Sequence, residues 1–435
     1  MGNDMNESVS KISKELFAVG FDLSDDYSLV SYYNLNEREP VSVATKLGGE
    51  EICIPTAVGK YYAENTWLFG QEALAFSDRR EGTVVTGLLS LAREGKRVEI
   101  EMRDYDPVDL LALFMKKCFS LLAVAAPIEK VNAITISVDH PDVVTINILK
   151  RVIETLRIKP EKVYFQSHSE SAYEYIINQN RDLWNHDVLV CHLKEEGLYV
   201  RSMRKNIKTN PVVVLMEENN YRGLKSSDLY DAPEAIRKQK DAELLRIIRT
   251  FCEGRYVSSI YLLGDVFTDD WWKESLSYMS AGRRIFRGNN LFSKGAAYGA
   301  ASKLTYSEVA AEHVFLGIEK VKANVGMKVL RDGEEAYMAL LDAGNNWYET
   351  RHECDLILDH EEVLKFIVTP LNGKESRVVS MYLTGMPIRP QKATRIHLEL
   401  KMVSERKMLV TVTDLGFGEI FESSGLEWKT EIPME

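Results

Sequence analysis

The sequence has no long hydrophobic run, few cysteines and no excess of basic charge, and each shortage removes a class of protein. No stretch approaches the roughly 20 apolar residues that a membrane-crossing helix needs. The opening "MGNDMNESVSKISKE" lacks the apolar centre of a secretion signal. Its Gly2 stands in a partial myristoylation context, but Asn6 occupies the place of the required serine or threonine. The five cysteines (Cys53, Cys118, Cys191, Cys252 and Cys354) are odd in number, far apart and without a C-x-x-C pair. That excludes a disulfide framework and a zinc site, and it fits a reducing cytoplasm. The eight histidines include no H-E-x-x-H pair. A formal net charge of -11 sets the chain against nucleic acid and anionic membranes, since both are repelled at long range.

What is present is the composition of a globular protein, over 435 residues, enough for two or three cores. After a flexible stretch at 1–14, strands and helices alternate from residue 15 to 304. "LFAVGFDL" (16–23) and "YSLVSYYNL" (27–35) read as adjacent strands across a tight turn. A helix follows in 104–127, with Asp106 as cap, Pro107 at its first position and a stripe of Leu110, Leu111, Phe114, Cys118 and Leu122. Then come a strand at 131–138, a helix at 143–158, a short strand at 162–165 and a helix opening at Ser169. A strand at 186–193 turns into "GLYVRSM", a long amphipathic helix spans 232–254, a buried strand spans 258–265, and "FSKGAAYGAASKL" is a helix of small residues. From 305 to 435 the texture changes to strand-period alternation with no long helix, as expected for a β sandwich. The boundary is expected near 303–311.

In their order, several stretches resemble the 70-kDa heat-shock chaperones of the actin-like ATPase superfamily. "VGFDLSDDYSLVSYY" is similar to the first phosphate loop, "ITISVDHPDVVTINILKRV" to the first connecting segment, and "VLVCHLKEEGLYV" stands where the second phosphate loop belongs. "YFQSHSESAYEYII" takes the place of the segment that carries N-E-P-T, and "SSIYLLGDVF" with "GAAYGAA" resembles the adenosine strand and its helix. "HVFLGIEKV" looks like the opening of the substrate-binding sandwich, and "YLTGMPIRPQKATRIHLELKMVSERKMLVTVTD" follows its later strands. The resemblance implies a two-lobed, actin-like α/β nucleotide-binding fold, here in the reduced form of a bacterial relative. A substrate-binding-type β sandwich without a helical lid follows it. The short interval between the second loop and the adenosine strand leaves no room for the family's outer subdomain.

The chemistry carried by that resemblance is depleted. Phosphate loops need glycines so that backbone N–H groups can approach the phosphates. Asp22 matches the family's aspartate, but Ser24, Asp25 and Asp26 replace Gly-Thr-Thr, and each carboxylate repels a triphosphate by about 1 to 4 kcal/mol. In the second loop His192 replaces aspartate and Lys194-Glu195-Glu196 replaces the glycine run. Ser167 stands for the N-E-P-T carboxylate, Leu88 or Leu89 for the expected lysine, and Asp265 follows the retained Gly264. These residues imply a pseudo-ATPase with no cofactor.

Plainer readings stand beside this one. Asp25 and Asp26 suit a solvated turn, while Asp22, Asp25 and Asp26 together make a poor cation site. His192 suits a packed strand end, and Lys194 to Gly197 an exposed hairpin. Trp271 and Trp272 suit either a core anchor or a partner surface, and Pro387 and Pro390 stiffen a strand connection. The function expected is a non-catalytic, chaperone-like scaffold that binds a protein or an extended peptide, a fuller chaperone homologue among the partners, and neither nucleic acid nor membrane. The alternatives are a magnesium-ATP-dependent chaperone with rearranged loops and a small-molecule kinase of the same superfamily.

Overall fold

A computed structural model describes residues 15–46, 48–75, 81–359, 362–371 and 375–434. The N-terminal stretch expected to be flexible lies outside them. The chain is mixed α/β with several sheets and a β-rich C-terminal part. It divides into two units, one of residues 1–179 and 289–307, the other of residues 180–288 and 308–435.

The first unit is organised by the strand Phe17–Leu23. It pairs in parallel with Ala133–Val138 and antiparallel with Tyr27–Asn34, and Val163–Ser167 extends the sheet in parallel beyond Ala133–Val138. Alternation along "FAVGFDL" sends Val19, Phe21 and Leu23 to one face and Ala18, Gly20 and Asp22 to the other. The large side chains enter a core with the helices Pro107–Ser120 and Val143–Thr155, where the Phe21 and Phe119 ring centroids are 5.3 Å apart. Asp106 and Asp142 cap these helices, accepting from Val108 N and Thr145 N respectively.

The small face receives the helix Leu291–Ala301, which returns to this unit after the chain has passed through the other. A Cβ on Gly20 would lie 2.0 Å from the Ser293 carbonyl oxygen, and one on Gly295 would lie 1.8 Å from the Ser171 carbonyl oxygen. Backbone therefore packs on backbone at both positions, and Ala18, Ala133 and Ala300 continue the seam. The stretch read as a small-residue helix packs in this way because any larger residue would hold the two backbones apart.

In the second unit a six-stranded sheet runs Arg284–Arg287, Val257–Leu263, Asp187–Leu193, Leu198–Asn206, Val212–Tyr221 and His313–Leu316. The helix Glu234–Cys252 covers it, sharing a core with Trp271 and Trp272. Both tryptophans are buried, with Trp271 stacked on Phe267 and Trp272 edge-on to it, so they anchor a core and present no aromatic surface. The strand His313–Leu316 corrects one expectation. Read as the opening of the sandwich, it pairs instead in parallel with Val212–Tyr221, whose open edge satisfies its backbone groups. The sandwich strands begin at Ala323.

Two four-stranded antiparallel sheets then share one core containing Phe366, Leu398 and Val410. Arg389, from the proline-framed turn, donates to both carboxylate oxygens of buried Asp414 at 2.7 and 2.8 Å and to the Glu422 carbonyl oxygen. This tie holds two end loops of the sandwich together, and the guanidinium keeps the Asp414 carboxyl far below the usual carboxylate range.

Gly20→Ala and Gly295→Ala are each expected to destabilise the first unit by roughly 3 kcal/mol or more, because the added methyl meets backbone. Gly299→Ala, whose Cβ would meet only the end of the Gln166 side chain, should cost clearly less. Urea unfolding followed by circular dichroism measures all three, and an equal loss in each would contradict the close-approach account.

Candidate functional site

The sequence-derived candidates fall into two groups, one in each unit. In the first unit they gather at the carboxyl ends of the parallel strands, the usual position of ligand sites in open α/β sheets. Strand register sets Asp22 beside Ser137, Ser137 beside Gln166, and Val138 beside Ser167. Ser167 ends its strand and caps the helix His168–Ile177, its hydroxyl accepting from Glu170 N at 3.1 Å. The helix thus opens one residue earlier than the periodicity indicates, and that residue is the centre of the site.

His168 is fully buried. Its Nε2 lies 2.7 Å from Asp22 Oδ1 and its Nδ1 lies 3.1 Å from Asp139 Oδ1. The ring stacks on Phe292 with centroids 4.1 Å apart and planes within 3°. An imidazole can donate from both nitrogens only when protonated, so the geometry is that of an imidazolium between two carboxylates. Burial alone lowers the His168 pKa, but the charges and hydrogen bonds of Asp22 and Asp139 outweigh it and raise the pKa above 6.5. Asp22 is also buried. Below the cluster, Ser137 and Ser171 share a hydroxyl hydrogen bond at 2.5 Å, and Gln166 donates to the Ser171 hydroxyl at 2.7 Å.

The turn after Asp22 is equally committed. Asp25 accepts from Leu89 N at 2.9 Å and from Ser90 N at 3.2 Å, and the Ser90 hydroxyl donates to its second oxygen. The solvated-turn reading of Asp25 is therefore corrected: its carboxylate caps the short helix Leu88–Glu94, whose first N–H groups have no partner within the helix. The Leu88–Leu89 stretch thus lies against the loop, and Leu89 meets the Asp25 carboxylate through its backbone N–H. Ser24 is half-buried and Asp26 exposed, with the Asp26 carbonyl accepting from Thr56 N. Asp22 and Asp25 direct their carboxylates at different partners, which leaves the three-carboxylate cation cluster unformed.

In the second unit His192 pairs with Tyr199 across one ladder and with Leu263 across the other. The hairpin that follows closes through Lys194 N to the Gly197 carbonyl oxygen at 3.0 Å, with Glu195 and Glu196 exposed at its tip and the Lys194 ammonium over the Tyr199 ring. Gly264 has φ +119°, and its Cβ position is 2.6 Å from the Leu193 carbonyl oxygen, so the end of the 257–263 strand sits directly against this hairpin's base. Asp265 is exposed and begins a short 3-10 turn.

Residues 39–318 match a family described as "Family of unknown function (DUF5716) C-terminal". The chain belongs to that family. Residues 320–434 match a "Domain of unknown function (DUF8552)", so the DUF5716 region ends just after the strand His313–Leu316 and the second match covers the sandwich. No curated protein matches the chain. In the first unit, sequence reasoning singled out Asp22, Asp25 and Ser167 but missed His168 and Asp139. A histidine at the first position of a helix carries no local mark of its partners. The one available signal was Asp139, directly after an apolar parallel strand.

His168 makes a signed prediction. Its raised pKa stabilises the first unit fully below about pH 6.5, the unfolded value, and this contribution is lost as pH rises through the folded value. His168→Leu, which leaves buried Asp22 without its imidazolium, should cost roughly 3–5 kcal/mol at pH 6 and less at alkaline pH. Chemical denaturation across pH tests this, and parallel wild-type and variant profiles would refute it.

Proposed function

We propose that the chain is a non-catalytic, chaperone-like scaffold that acts through contacts with protein or extended peptide. Its frame, on this reading, is a reduced actin-like α/β fold followed by a substrate-binding-type sandwich. The reading is supported by a first mixed sheet whose parallel strands are continued by antiparallel ones, a second mixed sheet, and a terminal β module in that order.

The observation that carries the loss of nucleotide chemistry is the state of the first loop. The Leu89 and Ser90 N–H groups, which an incoming phosphate would seek, already hold the Asp25 carboxylate. Asp22, which would orient a metal-bound water, is buried against His168. Phosphoryl transfer requires open backbone donors, a cation site and a positioned water, and this loop offers carboxylates in their place. The second-loop hairpin adds exposed Glu195 and Glu196 where donors would be needed.

With no nucleotide cycle to change its affinity, such a scaffold would bind its partner at one constant strength. Extended segments suit the β module through main-chain hydrogen bonds and alternate side-chain contacts. A fuller chaperone homologue fits the same role.

Isothermal titration calorimetry of the full chain with magnesium-ATP and magnesium-ADP tests the reading. No saturable heat is expected up to millimolar nucleotide. Micromolar affinity for either nucleotide would overturn it, and Asp22→Ala would then show whether turnover depends on that carboxylate.

A further inference from the structure

The sandwich has four edge strands, and three of them carry charge on their exposed positions. Glu334–Leu341 exposes Glu334 and Glu335 beside Tyr337 and Ala339, Arg351–Leu358 exposes Arg351, Glu353 and Asp355 beside Ile357, and Glu427–Pro433 exposes Glu427, Lys429 and Glu431. Such charges keep one sheet edge from templating another. The fourth edge strand, Arg377–Tyr382, exposes Val378, Ser380 and Tyr382, and the Arg377 guanidinium turns away to the Pro433 carbonyl oxygen. Among the described residues this is the sandwich edge without a charged exposed face.

The hydrogen-bond parity of that strand is set by its inner neighbour. Leu383 N donates to the Glu362 carbonyl oxygen, and the antiparallel register continues Met381 beside Leu364 and Val379 beside Phe366. Hydrogen-bonded pairs alternate along an antiparallel ladder, so Arg377, Val379 and Met381 bond inward. The N–H and C=O groups of Val378, Ser380 and Tyr382 therefore point to the open edge. Val378 is 62% and Tyr382 69% exposed, so neither side chain is covered.

We propose that Arg377–Tyr382 pairs antiparallel with the same strand of a second copy of this chain, with Ser380 on the two-fold axis. In this register Val378 faces Tyr382 of the other copy and Ser380 faces Ser380. All three outward-pointing residues then lie in hydrogen-bonded pairs, which exchange two bonds each. The facing side chains are a β-branched residue against an aromatic one, a favourable cross-strand combination, and no like charges oppose. The strand is thus complementary to itself, as an isologous interface requires. A six-residue strand pair falls at or below the roughly 1,000 Å² expected of a stable interface, so the dimer is weak and depends on concentration. The proposal does not depend on the scaffold reading.

Sedimentation equilibrium of the full chain over a wide concentration range tests it. The wild-type chain should show a reversible monomer–dimer equilibrium. Ser380→Lys and Ser380→Glu, both at an exposed position, should each weaken it by roughly tenfold or more, because like charges then meet on the axis. An equimolar mixture of the two variants should recover dimerisation, which a folding defect could not do. A wild-type chain that stays monomeric at the highest concentration overturns the proposal. So does a dimer that both charged variants leave intact, or a mixture that fails to recover.

Discussion

The first unit depends on how closely two backbones can approach. The helix Leu291–Ala301 lies on the sheet at Gly20 and on the helix His168–Ile177 at Gly295, with carbonyl oxygens filling the space that a Cβ would need. This seam ties residues near the end of the α/β region to the first strand, so the unit is complete only after the chain has left it and come back. The same approach brings Phe292 onto His168, with ring centroids 4.1 Å apart. The buried charge cluster is therefore a consequence of the seam: Asp22 shares the small face of its strand with Ala18 and Gly20, and the returning helix covers that face.

Burial then decides what the acidic residues can do. A carboxylate removed from water must be paired or hydrogen-bonded. Buried Asp22 has the His168 imidazolium, while the partly exposed Asp25 and Asp142 each hold a helix N-terminus, Asp142 with Arg93 as well. Each of these groups is used to hold backbone elements together. A nucleotide site needs the reverse, with donors and a metal-binding carboxylate left open toward the ligand. The loop "GFDLSDDYSLVSYY" keeps the strand–turn–strand form and spends its polar groups on its own fold.

The sandwich follows the same economy in a different place. Arg389 and Asp414 hold two end loops by a bidentate pair whose remaining lone pairs accept from Gly416 N and from Ser424. A buried ion pair is tolerable only when its hydrogen-bonding capacity is filled in this way. The strands need no such device, because alternation between a buried and an exposed face specifies their register. It is only at the edges, where backbone groups meet water, that side-chain charge governs association.

Much was readable from residue order alone. Period-two alternation and the cap Asp106 located strands and helices, because those patterns depend on neighbours a few residues away. Small residues in "GAAYGAA" announced close packing. The sequence was silent on the target of that packing, on His168 bridging Asp22 and Asp139, and on Asp25 reaching Leu89. These contacts join residues 29, 146 and 64 positions apart. It also misassigned His313–Leu316, since four apolar-rich residues suit any sheet and the open edge of Val212–Tyr221 decides which one they join. Local pattern determines what an element is, whereas the partner of a buried charge or an open edge exists only once the chain has folded.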